Sequence, residues 1–265
     1  MGGVALLTLF SWRTNPATVF SMDRLKSEVE LFAEQWMNLW QDFRTNQGKI
    51  VYKWLHYFAI YERHLSQWRN KTVTLFEIGV FHGGSLQMWQ RFFGPLATIV
   101  GIDIDPACKA HEELGIHVRI GDQSDPVFLQ TVIDEFGAPD IVIDDGSHQM
   151  EHLRKTFLLL YPLLSKNGIY CVEDLHTAYW EEYGGGVGKP DTFINLSKQF
   201  IDNLNADYSR GALAPDFMTR NTFAMSFYDS VIIFERGTIP VKRCMAVGRL
   251  SKASPKESLA TVHET

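Results

Sequence analysis

At 265 residues, 45% hydrophobic and 21% charged, the chain has the composition of an ordinary globular protein. That length suits one large α/β domain, or one domain with a helical extension. The formal net charge of −6 and the lack of any long basic stretch argue against a nucleic-acid backbone as the main partner. Cys108, Cys171 and Cys244 are too widely spaced for a disulfide framework or a zinc pattern, which points to a reducing, cytoplasmic compartment.

Residues 4–10 are apolar but lack a positive leader and a cleavage site, and they are far too short to span a bilayer. They read as a docking segment or a first strand, and no other stretch reaches transmembrane length. Residues 21–69 read as helical. Leu25, Val29, Phe32, Trp36, Leu39, Trp40 and Phe43 recur at helical spacing, followed by Trp54, Phe58, Tyr61, Leu65 and Trp68. This aromatic layer, an N-terminal helical extension over residues 1–70, is expected to pack on a sheet or on another subunit of a homo-oligomer, with a substrate-lining role for some of its aromatics as the alternative.

From residue 71 strands and helices alternate. Strands are expected at 73–78, 98–102, 117–120, 141–143 and 169–172, and helices at 86–93, 108–114, 126–136 and 150–165. Alternation of this kind calls for an α/β fold built on a doubly wound, mostly parallel sheet, assigned here to residues 71–250. Residues 183–190, rich in glycine, read as a mobile loop or a plain linker. Residues 222–227 and 230–235 read as a closing strand pair around Tyr228-Asp229, and residues 251–265 as a polar tail.

Two of these strands end in acids: Asp144-Asp145-Gly146-Ser147-His148 and Glu173-Asp174. The apolar runs before them read as buried parallel strands. A right-handed crossover through the intervening helix puts both acidic ends on one sheet edge. Neighbouring strands lie about 4.8 Å apart, so carboxylates there can share a cation. Adjacent buried charges are otherwise costly, although a turn or helix cap also uses Asp, Gly and Ser.

The first strand ends in Glu77-Ile78-Gly79-Val80-Phe81-His82-Gly83-Gly84-Ser85, whose glycines permit close approach of backbone to a ligand ahead of a helix N-terminus. It lacks the dinucleotide spacing of three glycines. Asp103, at the end of the next strand, is placed to accept from ribose hydroxyls. Asp122 and Gln123, after the third, are placed to meet an adenine amino group. Glycine loop, ribose acid and adenine acid without a phosphate-binding lysine describe a nucleoside cofactor lacking a pyrophosphate, and S-adenosylmethionine fits best. Candidate cofactor residues are Glu77, Gly79, Gly83, Ser85, Asp103, Asp122 and Gln123.

Together the run from Glu77 to Ser85, the Gly121-Asp122-Gln123-Ser124-Asp125 stretch, the two acidic clusters and the Phe227-Tyr228-Asp229-Ser230 pair resemble a known family. It is the magnesium- and S-adenosylmethionine-dependent sugar O-methyltransferases of the macrolide (mycinamicin and oleandomycin) type, close to the cephalosporin hydroxylase and rhamnosyl O-methyltransferase group. The resemblance covers roughly residues 73–179, and those enzymes carry a larger N-terminal domain than residues 1–70 provide. It implies a Rossmann-like methyltransferase fold, Mg²⁺ ligation by Asp145, Glu173 and Asp174, and His148 as general base. The acceptor would be a sugar-bearing or other diol small molecule, with a catechol admitted. Asp144 is expected to orient His148 or to face the methyl donor. His176 is a surface or capping residue, an extra ligand or a substrate contact. A metal-dependent hydroxylase and a non-catalytic cofactor-binding domain are the alternatives.

Overall fold

The computed structural model describes residues 39–239 together with 245, 247 and 248. The apolar segment at 4–10, the helical reading of 21–38, Cys244 and the tail at 251–265 lie outside these residues. Among the described residues no helix is long and apolar enough to cross a membrane.

The expected alternation is present. Strand β1 (Val73–Ile78) is followed by α3 (Gly84–Phe93), β2 (Ala97–Asp103), β3 (Ile116–Ile120), α4 (Pro126–Phe136) and β4 (Ile141–Asp144). Then come α5 (Met150–Leu160), β5 (Ile169–Val172), α6 (Phe193–Leu204), α7 (Phe217–Asn221), β6 (Thr222–Phe227) and β7 (Ile232–Arg236). Two helices precede the sheet, α1 (Leu39–Arg44) and α2 (Tyr57–Leu65). The sheet order is β3-β2-β1-β4-β5-β7-β6. Strands β1 to β5 pair in parallel, while β7 runs antiparallel to β5 and to β6.

Local chemistry accounts for the element bounds. Asp125 caps α4 by accepting from the Val127 and Phe128 amides, with Pro126 at the first helical position, and Gly137 follows the last turn. The helix expected over 150–165 stops at Leu160 and tightens into a 3₁₀ turn over Tyr161–Leu163, because Pro162 has no amide to donate. The helix expected over 108–114 is a 3₁₀ turn at Pro106–His111, capped by the Asp105 side chain.

Two cores cover the faces of the sheet. On one, Tyr57, Phe58, Tyr61 and Leu65 of α2 pack with Trp89 of α3 and with Leu75, Ile99, Ile143 and Cys171 of the strands. On the other, Leu153 and Phe157 of α5 and Phe193 of α6 pack with Phe76, Val142, Tyr170 and Phe234. Residues 39–65 are therefore a layer of the sheet domain, sharing its core. Most aromatics of α1 and α2 pack inside the molecule, where Tyr57 is 0% exposed and Trp40 8%.

The helical reading of 21–69 breaks between α1 and α2. Asn46 accepts from the Gly48 amide and donates to the Lys49 carbonyl, which turns the chain. The irregular stretch that follows runs to Trp54 and carries Lys53 over the end of the sheet.

Candidate active site

The strand order reverses between β1 and β4, which opens a crevice at their carboxyl ends. Register fixes what lies there: Ile78 pairs with Asp144, and Asp144 with Val172, so Gly79, Asp145 and Glu173 are the next residues out. A cavity of about 660 Å³ fills the crevice, lined by Gly79, Val80, Ser85 and Asp103 on one side and by Asp145, His148 and Asp174 on the other.

The β1 side is built on close approach. Gly79 has φ +91°, and a Cβ there would lie 2.1 Å from the Asp145 carbonyl oxygen. Only glycine lets the β1 and β4 loops pass at this separation. Gly83, also left-handed, precedes the first residue of α3. Glu77 is fully buried and does not line the cavity. Its carboxylate accepts from Ser85 Oγ at 2.7 Å and Trp89 Nε1 at 3.1 Å, so it fixes the start of α3 and orients the glycine loop. Asp103 faces the cavity, its oxygens accepting from the amides of Val80, Phe81 and Asp105. Burial opposes its charge, but these amides outweigh burial and hold the carboxyl below the usual range.

Asp122 and Gln123 do not line the cavity. Asp122 accepts from the Ser124 amide and hydroxyl, closing a turn. Gln123 is a brace: its amide donates to Asp144 Oδ1 and Thr156 Oγ1 and accepts from the Ser147 amide. Asp144 does not orient His148. It is fully buried between Gln123 and Tyr170, whose hydroxyl donates to it at 3.0 Å, and burial pushes it up to about 7. Successive strand residues point to opposite faces, which sends Asp144 into the core and leaves Asp145 at the crevice.

On the β4 and β5 side, Asp145, His148 and Asp174 bring one ligand atom each within 4.8 Å of one another. His148 Nε2 lies 3.9 Å from Asp145 Oδ1 and 3.8 Å from Asp174 Oδ2. His148 and Asp174 both hold left-handed backbones, with φ of +56° and +54°. Non-glycine residues rarely do so and concentrate at functional sites. His148 Nδ1 is buried with no hydrogen-bond partner among the described residues.

Glu173 is buried, yet it borders the same cavity as Asp145 and Asp174. Tyr61 donates to its Oε1 at 2.7 Å and Lys53 to its Oε2 at 2.9 Å. Burial pushes Glu173 up to about 8 against the opposing pull of Lys53.

Lys53, Tyr57 and Tyr61 were not among the residues expected at the site. The Lys53 ammonium, 3% exposed, lies 2.6 Å from Asp145 Oδ2 and 3.4 Å from Glu77 Oε1. Burial disfavours its charge, but Asp145, Glu173 and Glu77 together hold it well above the usual lysine range. Tyr57 donates to Asp174 Oδ1 at 2.7 Å. The sequence carried a signal: Lys53, Tyr57 and Tyr61 are four residues apart, polar tips on an otherwise apolar stripe.

Aromatic rings continue outward from the cluster in a row. Ring centroids are 6.3 Å apart for His148 and Tyr183, 5.9 Å for Tyr183 and Trp180, 4.8 Å for Trp180 and His176, and 5.6 Å for His176 and Trp54. His176 Nδ1 bonds Ser230 Oγ at 2.6 Å, which anchors the ring in this wall. The glycine-rich stretch is tied to the same loop, Gly185 donating to the Trp180 carbonyl and Gly186 to that of Ala178.

No family model matches the chain. It is 38% identical over 200 residues to demethylmacrocin O-methyltransferase of Streptomyces fradiae, covering 70% of this chain and 50% of that protein. It is likewise 38% identical over 200 residues to mycinamicin VI 2''-O-methyltransferase of Micromonospora griseorubida, covering 69% and 49%. Among solved structures it is similar to a methyltransferase of the mycinamycin biosynthetic pathway in complex with Mg, SAH and mycinamycin VI. The TM-score is 0.66 at 30% identity, over 86% of this chain and 67% of that one. The chain spans about half the length of the curated relatives it matches.

Proposed function

The chain belongs to the macrolide-type sugar O-methyltransferase family, and we propose that it moves a methyl group from S-adenosylmethionine to a hydroxyl of a sugar on a glycosylated natural product. The observation that carries this reading is the convergence of Asp145, His148 and Asp174 on the wall of the cavity that faces Gly79 and Asp103.

The donor set fits a hard divalent cation such as Mg²⁺: carboxylate oxygens of Asp145 and Asp174 come within 4.8 Å of one another, and Glu173 borders the same cavity. Asp145, Glu173 and Asp174 would hold it, with His148 beside them as the base. When bound, the ion orients a vicinal diol and lowers the pKa of the hydroxyl to be methylated.

The remaining work falls to the chain's own residues. The glycine loop lets the donor's methionine end approach the backbone, and Asp103 accepts from the ribose hydroxyls. His148 Nε2, unprotonated, takes the proton from the acceptor hydroxyl. The acceptor oxygen forms a bond to the methyl carbon as the carbon–sulfur bond breaks, the electron pair staying on sulfur in S-adenosylhomocysteine. Much of the acceleration comes from alignment of donor and acceptor. The aromatic wall from Trp54 to Tyr183 supplies apolar faces for the sugar and its aglycone.

A cytoplasmic, self-associating protein completes the reading. It is supported by free, buried Cys108 and Cys171 and by Tyr52, 78% exposed at the mouth of the cavity. Transfer from methyl-labelled S-adenosylmethionine to a panel of diol-bearing deoxysugar glycosides tests the function. Label should reach an acceptor with Mg²⁺ present, stop on chelation by EDTA and return on adding Mg²⁺. Transfer that persists undiminished in EDTA would overturn the metal-dependent reading.

A further inference from the structure

Asp145, Glu173 and Asp174 offer six carboxylate oxygens, and one short stretch of chain donates to four of them. Lys53 donates to Asp145 Oδ2 and Glu173 Oε2, Tyr61 to Glu173 Oε1, and Tyr57 to Asp174 Oδ1. The other two, Asp145 Oδ1 and Asp174 Oδ2, lie 3.9 Å and 3.8 Å from His148 Nε2. Tyr57 OH also accepts from the Asp174 amide at 3.2 Å, which clamps the left-handed residue by backbone and side chain together.

The donors are themselves locked. Tyr57 and Tyr61 are 0% and 1% exposed. Their rings meet at 82°, and Tyr61 packs edge-on to Trp89 at 5.0 Å. An ammonium or a protonated phenol donates hydrogen bonds and does not serve as a ligand to a cation. Their contribution is to fix the rotation of each carboxylate.

We propose that Lys53, Tyr57 and Tyr61 are positioning residues that complete the active site from the N-terminal side, fixing the rotation of the Asp145, Glu173 and Asp174 carboxylates toward the divalent cation. The inference rests on the metal-binding part of the proposed function and deepens it. Hydrogen-bonding partners behind a metal's ligands set ligand orientation, and their loss costs about 10-fold or more in metal affinity.

The test is Mn²⁺ affinity by electron paramagnetic resonance on the full chain without donor or acceptor, so that no step of catalysis enters the readout. Tyr57→Phe should weaken Mn²⁺ binding about 10-fold. Tyr61→Phe, acting through Glu173 and Lys53, should shift it in the same direction by less. Tyr161→Phe is the control: it deletes an equally buried hydroxyl, bonded to Thr222 at 2.9 Å outside the cavity. It should leave Mn²⁺ affinity unchanged whatever it does to the melting temperature. Parental affinity in Tyr57→Phe, or an equal loss in Tyr161→Phe, would overturn the positioning role while leaving the metal site standing. A parent chain that binds no Mn²⁺ would remove the metal site and the inference with it.

Discussion

Replacing His148 by alanine is expected to lower kcat for methyl transfer by about 10²–10⁴-fold, the range that a positioned general base contributes. Three observations set this expectation. Nε2 stands 3.8–3.9 Å from two carboxylate oxygens, too far for direct hydrogen bonds and well placed for a group lying between them. The residue holds a left-handed backbone, uncommon for a non-glycine residue. Among the described residues no group hydrogen-bonds Nδ1. The affinity for S-adenosylmethionine should be little changed, because the donor-side residues Gly79 and Asp103 lie on the opposite wall. Raising the pH should recover part of the lost rate, since a more ionised acceptor needs less help from a base. Steady-state kinetics on the variant that stay within threefold of the parent at neutral pH would refute the assignment.

The second large effect is on stability. Lys53→Met should lower the unfolding free energy by about 3–5 kcal/mol, the cost of removing one partner from a buried ionic cluster. The ammonium is 3% exposed and faces Asp145, Glu173 and Glu77 at 2.6, 2.9 and 3.4 Å. Without it the three carboxylates are left in a confined space with no cation from the chain. The pH dependence has a definite sign. Burial raises the folded-state pKa of Glu173 to about 8, and Lys53 opposes that rise. Glu77 is likewise raised by burial and held back by Lys53. Removing Lys53 lifts both further. A carboxyl whose folded pKa exceeds its unfolded one stabilises below the unfolded pKa and loses that contribution as pH rises through the folded value. The deficit of Lys53→Met relative to the parent should therefore be small near pH 5 and widen toward pH 8. Urea denaturation in the presence of chelator measures it, and a deficit that narrows with rising pH would contradict the account.

The sheet was legible because its strands are short apolar runs with turn residues at their ends. Val73–Ile78, Ile169–Val172 and the Pro126–Phe136 helix fall where pattern and capping place them. The acidic clusters were legible as a site because register on a parallel sheet brings their ends level. Which acid does what was harder to read. Asp144 and Asp145 are adjacent in sequence and part company because a strand alternates its faces, and nothing local says which face is the crevice. Glu173 is held by Lys53 and Tyr61, 120 and 112 residues away in sequence. Such long-range pairing leaves no periodic trace in the acidic motif itself. Gln123 fits adenine by position alone, yet Asp144, Ser147 and Thr156 engage its amide within the fold.

The central claim is that the crevice between β1 and β4 binds S-adenosylmethionine beside a divalent cation. Calorimetric titration of the full chain with S-adenosylmethionine, with and without Mg²⁺, tests it without knowledge of the acceptor. The account predicts saturable one-to-one binding that Asp103→Ala weakens. No heat under either condition, with a chain shown to be folded, would contradict it and leave the acidic cluster as a metal site of some other chemistry.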